Sequence, residues 1–143
     1  MTQPLTSSEW IIMKTLYTHQ PTTSRQLIDA LIHSTNWKEG TIKSFIARLV
    51  EKGYIQQNKE HSPFILSANQ TQESLELSRL DEALEPICTK KRGEVLLSVI
   101  ETTKLSKEDC CQLIDLLTKK IESAPNEVPC HCPNSQCQCH LHT

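Results

Sequence analysis

The chain has 143 residues, of which 37% are hydrophobic and 22% charged, with a formal net charge of −2 at pH 7; it can bury one modest core or two small ones. Its opening MTQPLTSSEW has no basic run leading into an apolar stretch, and nowhere do roughly eighteen apolar residues adjoin, so neither a secretion signal nor a membrane span is expected and a cytoplasmic location without a membrane partner is predicted. Seven cysteines in a reducing compartment argue against a set of structural disulfides and for thiol or metal chemistry.

The charge is unevenly spread. Residues 1–68 carry seven Lys or Arg against five Asp or Glu, and residues 69–143 carry eight against twelve. A polyanionic partner therefore belongs to the first half.

Along that half, Thr6 with Glu9, Thr23 with Gln26 and Asn36 with Glu39 pair a small polar residue with an acid or amide three positions on, the mark of a capped helix start. The first predicted helix carries Trp10, Met13, Leu16 and Tyr17 on one face, and the second Leu27, Ile28, Leu31 and Ile32. In the third, Ile42, Phe45, Ile46, Leu49 and Val50 form the stripe of a helix packed on a core, and Gly53 stops it. YIQQN and PFILS, separated by KEHS, then read as a two-stranded hairpin. Three short helices followed by a hairpin is a winged helix-turn-helix plan.

The third helix adds chemistry to that plan. Thr41, Ser44 and Arg48 form its outward stripe, with Lys43 alongside and small Ala47 between. Such a face fits a major groove, because small side chains allow close approach and Arg or Lys bonds guanine edges or phosphates. Lys38 at the helix start and Lys59 in the wing complete the predicted DNA-binding set.

Further on, a leucine-bearing helix is predicted over 72–85, another from Cys88 or Lys90 to about Glu101, and a last one from Lys107 to about Glu122, capped by Ser106 with Asp109. The last helix puts Cys110, Leu113, Ile114, Leu117 and Ile121 on one side. These helices are too thinly apolar to form a core of their own, so pairing with a second copy is expected to bury them. Cys88 and Cys110 read as packed residues in this region, since buried cysteine behaves as a small hydrophobe.

SAPNEVP, residues 123–129, is a linker by composition, and CHCPNSQCQCH follows it. Its Cys130, Cys132, Cys137 and Cys139 make the pattern C-x-C-x4-C-x-C, with Pro133 to Gln136 as the turn between the two pairs. Four thiolates suit tetrahedral Zn(II), while the close C-x-C steps also suit soft Cu(I), so one zinc or a small thiolate-bridged copper cluster fits. His131, His140 and His142 read as neighbours of the site more than as ligands. No P-loop, H-E-x-x-H or G-x-S-x-G occurs, so no enzyme is predicted. The expected organisation is a winged-helix DNA-binding domain over 1–70, a helical dimerisation region over 71–122, and a linker with a metal-binding tail over 123–143. A metal buffer or metallochaperone without specific DNA binding is the alternative.

On these residues the chain resembles the BlaI/MecI/CopY family of winged-helix repressors, and its tail resembles that of the copper-responsive CopY branch. The resemblance lies in LTSSEWIIMKTLY, in TSRQLIDAL and in NWKEGTIKSFIARLVEKGYI, where Trp37, Thr41, Ile42, Arg48, Leu49, Lys52 and Gly53 match the family pattern. Ser44 stands where threonine is usual, Phe45 where leucine is usual and Gly40 where a basic residue is common, and HSPF replaces the usual wing tip. The resemblance implies a homodimer that holds double-stranded operator DNA, an inverted repeat upstream of copper-export genes, with Zn(II) in the tail. Cu(I), delivered by a small copper chaperone, would displace the zinc and release the DNA.

Overall fold

Local side-chain bonds start three of the helices in the computed structural model, which describes residues 3–139. The Thr6 hydroxyl oxygen accepts from the Glu9 N–H at 3.2 Å and caps α1 (Ser7–His19). Thr23 and Gln26 form a reciprocal capping box at the head of α2 (Ser24–Ser34), and Ser106 with Asp109 does the same for α6 (Lys107–Ile121). Each satisfies backbone donors that a helix leaves open at its first turn.

The expected cap at Asn36 is not formed. Helix α3 (Glu39–Glu51) has Lys38 at its N-cap, without a side-chain cap bond. The polar side chain used in this turn is Thr35, whose hydroxyl donates to the Leu31 carbonyl at 2.7 Å and accepts from the Trp37 N–H at 3.3 Å. At its other end α3 stops as the sequence requires: Gly53 has φ 89°, its N–H bonds Val50 O at 3.1 Å, and the Tyr54 N–H bonds Leu49 O at 2.9 Å. That left-handed closure favours glycine.

The wing has one more strand than the hairpin reading allowed. Strands β2 (Ile55–Asn58) and β3 (Ile65–Ala68) pair antiparallel, Ile55 opposite Ala68 and Asn58 opposite Ile65. Strand β1 (Thr22–Thr23), between α1 and α2, adds to the far edge of β3, giving the order β1-β3-β2. Two threonines make no alternating run, so only tertiary pairing defines this strand.

The chain divides into two compact units, Met1–Leu80 and Asp81–Thr143. In the first, the core joins Ile12, Met13 and Leu16 of α1, Leu27, Ile28 and Leu31 of α2, Ile42, Ile46 and Leu49 of α3, and Tyr54, Ile55, Leu66 and Leu75. Ile32, expected on the buried face of α2, is exposed, and in α1 Ile12, outside the predicted inward face, is fully buried. Leu75 comes from the start of α4 (Gln72–Leu84). The result is a mainly helical winged helix-turn-helix fold with a small sheet.

In the second unit a 3-10 turn (Thr89–Lys91) leads into α5 (Arg92–Thr102), and α6 follows. Neither α5 nor α6 has a buried residue, and Leu96, Leu97, Val99, Ile100, Ile114, Leu116, Leu117 and Ile121 are exposed. Cys110, read as a packed residue, is exposed together with Cys111. Among the described residues no helix is long and apolar enough to cross a membrane.

Candidate nucleic-acid interface and candidate metal centre

Helix α3 buries Ile42, Ile46 and Leu49 and thereby turns Thr41, Lys43, Ser44, Ala47 and Arg48 outward; all five are exposed, as is Lys38 at the N-cap. The turn before α3 is held by Trp37 against Phe45, ring centroids 5.3 Å apart at 63°, an edge-on contact of the favourable kind. Ser44 donates its hydroxyl to Gly40 O at 3.1 Å and keeps its oxygen lone pairs for a donor. A Cβ added at Gly40 would meet nothing within 4 Å, so no packing requirement explains the glycine.

One acid, Glu39, lies in the first turn of this helix. Arg25, at the start of α2, donates to its carboxylate, and Lys43 lies 3.5 Å from the same oxygen. The Arg25 hydrogen bond and charge, with Lys43 behind them, hold the Glu39 carboxyl below its ordinary range. The pairs are exposed and contribute little to stability. Their effect is local: the negative charge in this first turn is matched by two cations. Sequence reading missed Arg25, whose signal was a basic residue in the helix preceding an acid-bearing one.

At the wing, Lys59 is exposed between β2 and β3, its Nζ 6.0 Å from the Phe64 ring centroid. Asn58 Oδ1 accepts from the Glu60 N–H at 3.0 Å and shapes the tip. His61 is exposed beside it.

The second candidate site lies wholly within the second unit. Pro133 O accepts from the Gln136 N–H at 2.9 Å across the 3-10 turn Asn134–Gln136, folding the two C-x-C pairs back toward each other. The sulfurs of Cys130, Cys132 and Cys139 gather with that of Cys88, all four within 4.8 Å of one another. Cys88 Sγ is 3.4 Å from Cys139 Sγ and 3.5 Å from Cys130 Sγ. Cys137 lies 3.6 Å, sulfur to sulfur, from Cys130. Cys88 is buried, as expected of a packed cysteine, and its close contacts are the thiols of Cys130 and Cys139. A cysteine 42 positions from its partner carries no local spacing signal; the odd count of seven was the only hint.

Hydrogen bonds outside the sulfurs fasten the tail to the turn that carries Cys88. The Thr89 hydroxyl donates to Pro129 O at 2.7 Å, and the Thr89 N–H donates to His131 Nδ1 at 3.2 Å. His131 thus braces the site through Thr89. His140 and His142 lie outside the described residues. The Cys88 turn is itself tied by Arg92, whose Nε donates to Ile87 O at 3.0 Å, and by the Lys91 N–H to Cys88 O at 2.8 Å.

The thiols are electrostatically unequal. Burial opposes charge on Cys88, but the Lys90 backbone N–H and the thiols of Cys132, Cys139 and Cys130 outweigh it and bring the group down to about 5. Sharing that charge with Cys88 and Cys130 pushes Cys139 up to about 12 and Cys132 up as well. A cation bound among these sulfurs would displace their protons. Tetrahedral Zn(II) with bonds of about 2.3 Å sets its sulfurs about 3.8 Å apart, so the donor set and spacing fit one soft ion.

Residues 5–119 match the penicillinase repressor family. A Latilactobacillus sakei protein described as an uncharacterized 16.5 kDa protein in the ptsI 3′ region is 36% identical over 138 residues, 96% of this chain and 94% of that one. The methicillin resistance regulatory protein MecI of Staphylococcus aureus is 21% identical over 119 residues, 83% of this chain and 97% of its own. Among solved structures, the DNA-binding domain of the repressor BlaI aligns with a TM-score of 0.46 and 24% identity, over 50% of this chain and 90% of that domain. The chain belongs to the penicillinase repressor family.

Proposed function

We propose that the protein is a copper-responsive transcriptional repressor that binds an inverted-repeat operator as a homodimer, with Zn(II) held by its C-terminal thiols, and lets go when Cu(I) takes them. Family membership supports DNA binding and repression. The observation that carries the metal response is the gathering of Cys88, Cys130, Cys132 and Cys139 within 4.8 Å in one unit of such a repressor.

The roles follow from chemistry. Thr41, Lys43, Ser44 and Arg48 face the major groove from α3, and Lys38 and Lys59 contact flanking phosphates. The exposed apolar residues of α5 and α6 pair with those of a second copy, so that two recognition helices address two half-sites about one DNA turn apart. Cys130, Cys132, Cys137 and Cys139 supply the tail's metal-binding sulfurs. A bound soft ion supplies metal–thiolate bonds that order a segment too short to fold by itself. Release requires only that the arrangement of tail and arm favoured with Cu(I) differ from the one that fits both half-sites. A differential of about 3–5 kcal/mol moves the operator from mostly bound to mostly free. A small copper chaperone is the natural donor, since free Cu(I) is scarce wherever thiols are abundant.

A mobility-shift assay with the chain's own upstream DNA separates this reading from that of a metal buffer. A sequence-specific shift that persists against excess unrelated DNA is expected. Equal affinity for both DNAs would leave the metal-buffering reading.

A further inference from the structure

We infer that Cys88, outside the cysteine-rich tail, is a Zn(II) ligand that the Cu(I)-loaded tail no longer uses, so that metal exchange opens and closes a loop containing α5 and α6. The inference rests on the metal-responsive reading above and names how that site reaches the helical arm.

Two independent sets of contacts point to it. Cys88 completes the four-sulfur group, 3.4 Å from Cys139 and 3.5 Å from Cys130. Apart from sulfur, Thr89 binds Pro129 O and His131 Nδ1, so the residue after Cys88 is bonded to the residues flanking Cys130. Cys88 is thus presented to the tail by a hydrogen-bonded turn. Behind it, Arg92 and the Lys91 N–H fix the backbone on which it stands.

The topology gives this ligand its consequence. Residues 89–129, between Cys88 and Cys130, contain the whole of α5 and α6. A bond from both cysteines to one centre closes that segment into a loop and restricts the arrangements open to its two helices. No residue of either helix is fully buried within the chain, so little packing within the chain opposes a change of arrangement.

Zn(II) and Cu(I) differ in their need for Cys88. Zn(II) takes four ligands, and Cys88 with Cys130, Cys132 and Cys139 provides them. Soft Cu(I) is content with fewer thiolates. The tail alone holds four, Cys137 lying 3.6 Å from Cys130, which suffices without Cys88. Cys88 is engaged in the zinc form and set free in the copper form, and the loop opens with it.

The test uses the full chain under anaerobic conditions. Co(II), a spectroscopic stand-in for Zn(II), reports thiolate number through its thiolate-to-metal charge-transfer band. Cys88→Ser is expected to lose about a quarter of the wild-type intensity and to bind Zn(II) at least about tenfold more weakly in chelator competition, while Cys137→Ser keeps the wild-type intensity. Cu(I) stoichiometry is expected to be unchanged in Cys88→Ser. Alkylation of the unsubstituted protein, mapped by mass spectrometry, asks the same question without a variant. Zinc loading should protect Cys88, and copper loading should leave it as reactive as in the metal-free chain. Full intensity in Cys88→Ser with the quarter lost in Cys137→Ser, or equal Cys88 labelling with and without zinc, overturns the inference while leaving the tail site and the proposed function intact. A wild-type chain that takes up neither Co(II) nor Cu(I) on its thiols would overturn both.

Discussion

Lys52 Nζ lies 2.8 and 2.9 Å from the two carboxylate oxygens of Glu9, joining the first turn of α1 to the C-cap of α3 across 43 positions of sequence. The Glu9 side chain is fully buried and that of Lys52 is 11% exposed, so the pair fixes α3 against the core at its far end. Burial pushes the Glu9 carboxyl up, but the Lys52 and Thr6 hydrogen bonds and the Lys52 charge outweigh it and hold it below its ordinary value.

A stability series over pH follows from that pair. Because the folded Glu9 titrates below its unfolded value, its contribution is complete above the unfolded value of about 4.3 and is lost as pH falls through the folded one. Lys52→Met leaves a buried carboxylate unpaired and is expected to cost about 3 kcal/mol or more near neutral pH. Urea melts should show that cost shrinking as acid protonates Glu9; a cost independent of pH would remove the ion pair from the account.

The proposed operator contacts should separate into two kinds by their salt response. Arg48→Ala is expected to cost about 1–3 kcal/mol in operator binding and to relax base preference at one position, with metal uptake unchanged. Lys38→Ala should weaken all sequences alike and lower the salt slope by about one. Fluorescence anisotropy at several salt concentrations measures both, and unaltered affinity in Arg48→Ala would strike that residue from the interface.

Gly40 offers a gain of affinity. Space is open around its Cα, and a lysine there replaces a poor helix former in the first turn of α3. Gly40→Lys should bind the operator more tightly, with a salt slope steeper by about one. An unchanged slope would mean that this turn of α3 does not face a phosphate.

The exposed apolar residues of α5 and α6 predict the oligomeric state. Leu97 is 69% exposed and Leu117 49%, and each occurs twice in a twofold interface. Leu97→Asp or Leu117→Asp should cost the dimer about 3 kcal/mol or more, from two lost burials of about 1.5 kcal/mol each. Sedimentation would show dissociation at micromolar concentration, and a full-length chain that is monomeric before substitution would refute the arm.

Much of this was legible in the sequence wherever the cause is local. Thr6, Thr23 and Ser106 cap helices because the partner of each is three residues away, and the outward stripe of α3 follows from the inward one. The cap expected at Asn36 did not form because α3 begins two residues later, with Lys38 at its N-cap, while Thr35 bridges Leu31 O and the Trp37 N–H. The rest was hidden because its partners are distant. Glu9 reads as a capping-box acid, and nothing near it announces Lys52. Strand β1 exists through β3, more than forty residues on. Cys88 stands alone in ICTKKR, and only folding brings it to the tail.

The central claim, that thiol-bound metal governs the grip on DNA, is tested most directly by titrating the preformed operator complex with Cu(I) under anaerobic conditions, using the full chain and its Cys130→Ser/Cys132→Ser variant. Release of the unsubstituted protein at a few equivalents of Cu(I), with the variant still bound, is the predicted result. Retention of both on the operator, or release of the variant at the same Cu(I) level, would contradict it.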